Sequence, residues 1–355
     1  MVNREKLVTS IRSLRHFINK SLDLHKEEHQ VTGFELSEPL LDAAAYNTYV
    51  ETVSNKADTF YLRIKEGLTE MVTYSYLDYI HILSQKFDWG TKEFILAFDY
   101  TDEDFYGEVQ GLNMYGWTGE RGVTGKFKFL TCSIVSDETL QKIPLVSIPI
   151  QLGHNMSYAI THCLYLIKPY IGNIILVLFD RGFYAKELMF ELGERNIPYL
   201  IFAPKTDFIK RELEGMCPKE TKLLKHEYVI NRDKSNFSFE TFAAFLKQIY
   251  DKRLEKEIDW AFATNVEEIQ LDGIIKIYKK RWRIETGFRV QDEAEIKCKS
   301  KEMKVRYFLF LFQQLLQTQW VCFFKEEVPF KRFLIEMHET CKNLVAHPNK
   351  KYGKV

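Results

Sequence analysis

One stretch limits the architecture more than any other: 174-IILVLFDRGFYAKELMFELGERNIPYLIFAPK. It reads as a strand (IILVLF), a loop (DRGF), a helix (YAKELMFELGERN) and a second strand (YLIFAP). Two strands joined through a helix pair in parallel by a crossover, not as a hairpin. A parallel pair needs cover on both faces, which implies an α/β sheet with helices on either side.

The segments around this unit fit that frame. Residues 3–88 read as helical, with Leu7, Ile11, Leu14, Phe17 and Ile18 close to a 3.6-residue period. This all-helical N-terminal region, residues 1–90, carries Arg4, Lys6, Arg12, Arg15 and Lys20, which make it a candidate for DNA-end binding. The pattern then changes at 94-FILAFDYTDEDFYG, an apolar strand that runs into acids. A Gly-rich loop holding Trp117 follows, then the strand-like runs 127–136 and 142–152 with a turn at Asp137-Glu138, so the three runs predict an antiparallel meander. A helix is expected from Asn155. Residues 205–257 are polar and charged and read as an insertion, with strands near Glu227–Ile230 and Ser238. Core-like sequence resumes at 259-DWAFATN, and Asn265 stands where a cap precedes a helix running from about 267 to 301. The domains are therefore 1–90, then 91–204 with 258–326, an insertion at 205–257, and a C-terminal helix and frayed tail at 327–355.

Charge is balanced overall, 49 Lys and Arg against 49 Asp and Glu, so any polyanion site must come from local clustering. Such a cluster exists. Residues 276–306 hold 11 Lys or Arg against 5 Asp or Glu. Six scattered cysteines without a C-x-x-C pair argue against a zinc site or a disulfide framework and fit a reducing compartment. The N-terminus is too polar for a signal peptide, and no apolar run approaches the ~18 residues of a membrane span. A soluble, cytoplasmic protein is expected.

Three acids stand out by position. Asp99 and Asp180 are each placed at the end of an apolar strand, and Glu285 lies on the basic helix. Strand ends of an α/β sheet line up along the rim where ligands bind. Carboxylates converging there suit Mg²⁺ or Mn²⁺, two ions of which can drive phosphoryl transfer. Asp180 also suits a helix cap, and Asp102, Glu103 and Asp104 compete with Asp99 as ligands. Tyr278, Arg281 and Glu285, at i, i+3 and i+7, share a helix face; Arg281 also lies at i,i+4 salt-bridge spacing from Glu285.

The elements 98-FDYTDEDFYG, 179-FDRGFYAKELM and 278-YKKRWRIETGFR resemble those of DDE transposases of the insertion-sequence-4 superfamily. The likeness spans residues 92–325. It implies a ribonuclease H-like mixed sheet flanked by helices, with Asp99, Asp180 and Glu285 as a catalytic triad holding two Mg²⁺ or Mn²⁺ ions. It implies an insertion-sequence transposase that binds transposon-end DNA, cleaves a strand and transfers the freed 3′-OH into target DNA, as a dimer in the DNA complex. A prokaryotic, nucleoid-associated enzyme follows from the same likeness. Tyr278 and Arg281 would contact the DNA backbone near the scissile phosphate, with Lys279, Lys280, Arg283, Arg289 and Lys297 as general phosphate contacts. Trp117, Phe237 and Phe239 are candidates for stacking on a base. The chain departs from the family pattern at Asp292, where a lysine is expected seven residues after Glu285, and at Gln319, where an asparagine is expected before Trp320. Two alternatives remain: an inactive or domesticated DNA-binding protein, and a ribonuclease H-like nuclease without strand transfer.

Overall fold

A computed structural model describes residues 3–24, 32–119, 122–136, 142–232 and 235–347. The turn expected at Asp137-Glu138 and the tail from residue 348 lie outside the described residues. Helices come first: α1 (Arg4–Ser21), α2 (Gly33–Tyr46), α3 (Val50–Val53), α4 (Ala57–Glu66) and α5 (Thr69–Lys86). The meander follows as β1 (Glu93–Phe105), β2 (Tyr115–Gly116), β3 (Gly125–Ile134) and β4 (Ile143–Ile150). Next come α6 (Met156–Ile167), β5 (Asn173–Phe179), α7 (Lys186–Glu194), β6 (Tyr199–Phe202) and α8 (Asp207–Glu214). The chain continues through β7 (Thr221–Arg232), β8 (Ser235–Asp251) and β9 (Lys256–Thr264). It closes with α9 (Ile274–Tyr278), α10 (Trp282–Gln291), α11 (Met303–Phe323) and α12 (Phe330–Ala346).

Among the described residues the strands form one mixed sheet of nine, in the order β2-β3-β1-β5-β6-β9-β8-β7, with β4 also on β3. β5 pairs with β6 in parallel through α7, and β1 with β5 in parallel. The segment 205–257 does not stand apart from this sheet. The second half of its strand β8, from Phe242 to Asp251, pairs with β9, and β7 adds to β8 as the edge. The outer hairpin is exposed on much of its length, with His226, Tyr228 and Ile230 of β7 and Phe239 and Thr241 of β8 on its more buried side.

Side-chain alternation divides the core around β1 and β5 in two. On β1, Phe94, Leu96 and Phe98 face the large cluster shared with the N-terminal helices and α11, while Ile95 and Ala97 face the smaller cluster under α9 and α10. On β5, Val177 and Phe179 face the first, and Leu176 and Leu178 the second. α11 is buried nearly all round, as the apolar run 305–312 requires. Two of its glutamines donate to neighbouring elements: Gln317 Nε2 to Gly287 O at 2.9 Å, and Gln319 Nε2 to Ser10 O at 3.0 Å. They tie α11 to α10 and to α1.

The N-terminal helices pack against α11 and α12. Several of their basic residues are engaged within this layer. Lys6 pairs with Glu327 and Lys20 with Asp78, and Arg15 lies 4.1 Å above the Phe34 ring. Among the described residues, no helix is long and apolar enough to cross a membrane.

Candidate active site

Strand alternation places the acids. Phe98 and Phe179 stack at 5.5 Å on the first face of the sheet. The residues after them, Asp99 and Asp180, therefore turn to the second face, beneath α10. The last parallel partners are Ala97 and Leu178, two positions before each aspartate. Strands stand ~4.8 Å apart, so the two carboxylates are neighbours.

Asp99 is not at the end of its strand, as expected, but in the middle. β1 runs on to Phe105 because β3 keeps pairing with it, Asp99 opposite Thr131 and Phe105 opposite Gly125. Only the parallel neighbour β5 stops, and this opens a local rim. The competing acids lie on the extended strand too, and each has its own cation. Asp102 is 3.7 Å from Lys128, Glu103 is 3.3 Å from Arg306 and Asp104 is 3.6 Å from Lys126. Asp180 caps the 3₁₀ turn Arg181–Phe183, its Oδ1 accepting from Gly182 N at 2.8 Å.

Glu285 reaches the site through Arg281. The Arg281 guanidinium donates to Asp99 Oδ2 at 3.1 Å and to Glu285 Oε1 at 2.5 Å. Arg281 is only 6% exposed. The i,i+4 pair weighed from the sequence is present, and it extends to Asp99. Burial raises the Asp99 carboxyl to about 6; Arg281 opposes this, while the charges of Asp180 and Glu285 add to it. Three hard oxygen donors that repel one another fit a divalent cation. In this conformation Arg281 supplies the counter-charge, and the three acids do not bring one oxygen each within 4.8 Å of the others.

The other predicted residues are dispersed. Tyr278 is 3% exposed and packs against Phe202, Trp260 and Phe262, with burial raising its phenol to about 12. Lys279 Nζ is 2.8 Å from Asp251, whose side chain is fully buried. Arg283 donates to Val135 O at 2.6 Å. Lys280 is half-buried, and Arg289 is exposed. Trp117 is 40% exposed beneath Lys126, 4.2 Å from its ring. Phe237 and Phe239 pack on Phe190 of α7.

The expected helix through residue 301 ends earlier. After α10 a 3₁₀ turn, Asp292–Ala294, leads into extended chain, so Lys297 is not on the helix; its N–H donates to Thr48 O at 3.0 Å. The reason is tertiary. Asn47 Nδ2 approaches the carbonyls of Asp292, Glu293 and Glu295, each at 3.3 Å, and Lys331 Nζ reaches Glu293 O at 3.0 Å. Asn265 likewise does not cap a helix. It bridges Tyr199 N and Ile197 O, while α9 starts after Gly273.

Residues beyond the predicted set also line this region. Arg253, in the turn between β8 and β9, lies 4.5 Å over the Trp282 ring, and Lys279 lies 5.7 Å from the same ring. Sequence alone held no signal that this turn reaches the start of α10.

Residues 127–312 match the family described as the transposase DDE domain, just over half of the chain. The chain belongs to that family. For this DDE-family protein the matched span includes Asp180 and Glu285 and begins downstream of Asp99. No curated protein matches the chain. Among solved structures it is similar to a piggyBac transposase in a synaptic complex with hairpin DNA, at a TM-score of 0.57. Identity is 11%, over 98% of this chain and 80% of that one. At that identity the likeness shows the fold, the ribonuclease H-like mixed sheet flanked by helices.

Proposed function

We propose that this DDE-family protein is an insertion-sequence transposase that cleaves one strand at a transposon end and joins the freed 3′-OH to target DNA. Asp99, Asp180 and Glu285 hold its two Mg²⁺ or Mn²⁺ ions. One observation carries the reading: the parallel register of β1 and β5 ends two residues before Asp99 and Asp180, on the face where α10 brings Glu285, joined to Asp99 through Arg281. Bound there, two divalent cations would activate the attacking oxygen and stabilise the leaving one.

The protein's own groups set the conditions. Arg281 offsets part of the charge of Asp99 and Glu285 while the site awaits DNA. A guanidinium also binds phosphate bidentately, so Arg281 is placed to pass from the carboxylates to a DNA phosphate. Exposed Arg289 and Lys297, with Lys280 and Trp117, would add backbone and base contacts. The piggyBac neighbour is a synaptic complex with hairpin DNA; by analogy, a dimer on two DNA ends is the working assembly.

A strand-cleavage assay on terminal DNA with Mg²⁺ or Mn²⁺ tests the assignment. Asp180→Ala and Glu285→Ala should abolish cleavage while DNA binding survives; normal cleavage by either removes the triad. Supplying a pre-cut end with a free 3′-OH separates the transposase, which forms a joined product, from a nuclease, which does not.

A further inference from the structure

Far from the catalytic acids along the chain, three side chains converge where α2 meets α12. Glu38 and Asp42 stand one turn apart on α2 and share a face. His338 of α12 places Nε2 3.4 Å from Glu38 Oε1 and 3.9 Å from Asp42 Oδ2. One ligand atom from each lies within 4.8 Å of the other two, and among the described residues no other three such groups do this. Among the described residues, neither acid has a lysine or arginine ion pair.

The spacing argues against a simple hydrogen-bonded pair. Charge-assisted N–H···O bonds run ~2.7–2.9 Å, well short of 3.4 Å. Donor atoms ~2.0–2.1 Å from a tetrahedral ion stand roughly 3.3–3.4 Å apart; the His338–Glu38 separation fits this, and Asp42, at 3.9 Å, would move inward to join. His338 is 7% exposed, and its Nε2 points at both carboxylates.

We propose that Glu38, Asp42 and His338 form a transition-metal site that fastens α2 to α12. One imidazole and two carboxylates suit Zn²⁺, Co²⁺ or Mn²⁺ and disfavour Mg²⁺, which prefers an all-oxygen shell. The absence of cysteine pairs, which argued against zinc, does not bear on a site built from His and carboxylates. The location gives it a consequence. α2 ends at Asn47 and α12 begins beside Lys331, the two residues that grip the end of the Glu285 helix. An ion between these helices stiffens that mount.

Co²⁺ titration of the full chain in excess Mg²⁺, followed by visible absorption, tests the site independently of activity. The parent protein and Asp180→Ala should each develop a d–d band at one equivalent, and Zn²⁺ should displace Co²⁺ and raise Tm. The near-isosteric Asp42→Asn should weaken Co²⁺ binding by about tenfold or more, and a folded His338→Gln should lose the band. No band in the parent overturns the proposal, as does Co²⁺ binding in Asp42→Asn as tight as in the parent, or a band that depends on Asp180.

Discussion

Arg281 bonds Asp99, 182 residues away in sequence, at 3.1 Å, with its guanidinium buried between that carboxylate and Glu285. The site is thus held by a protein cation where the proposed chemistry calls for metal ions. Removing that cation should make the acids depend on metal.

Arg281→Ala leaves two carboxylates facing each other without their partner. In chelator it should lose roughly 3 kcal/mol of stability, the scale of breaking a buried pair. Added Mn²⁺ should restore more of its Tm than it adds to the parent. Thermal melts with chelator and with Mn²⁺ give the comparison; an equal Mn²⁺ response in both proteins would contradict the exchange.

Asp99 gives a pH signature. Its carboxyl, at about 6 when folded, titrates near ~3.9 in an unfolded chain. The folded state then binds the proton more tightly, so this contribution favours folding at low pH and is lost as pH rises through about 6. Asp99→Asn should therefore melt higher than the parent in chelator at about pH 8, by at most roughly 2–3 kcal/mol. The gap should close as the pH falls toward the unfolded value. A gap that is constant with pH would refute the assignment.

Asn47 does two jobs, and two substitutions separate them. Its backbone is left-handed, φ 50, at the end of α2, while its amide holds the turn after α10. Asn47→Gly keeps the backbone and loses the amide bonds, which should cost about 1 kcal/mol. Asn47→Ala adds left-handed strain of about 1 kcal/mol more. Urea melts should rank parent, Gly, then Ala.

Two cations of the same basic stretch should behave differently. Lys279→Ala strands Asp251, which is buried and otherwise held by the N–H groups of Arg253 and Leu254, and should cost roughly 2 kcal/mol. Arg289 is exposed, so Arg289→Ala should leave Tm unchanged. If Arg289 contacts DNA phosphate, its removal should weaken binding across sequences and lower the salt slope by about 1. Binding measured against salt concentration, with melts alongside, tests both.

Local pattern determined much of this protein. The β5-α7-β6 unit was legible because strand and helix periods alternate within one short run, which leaves few topologies. The meander and the amphipathic α1 were legible for the same reason. Alternation along β1 and β5 also ties Asp99 and Asp180 to one face, once the parallel register is known. What sequence could not determine was decided by distant partners. β1 outlasts its apolar run because β3 pairs beyond it. The outer hairpin joins the sheet through β9, a partner its own sequence does not name. The Glu285 helix ends where Asn47 and Lys331 take its carbonyls, which removes Lys297 from it. Arg281 turns inward because Asp99 arrives from another strand to share it with Glu285. Periodicity reports which side of an element is buried; the partner of a buried charge is chosen only when the chain brings remote residues together.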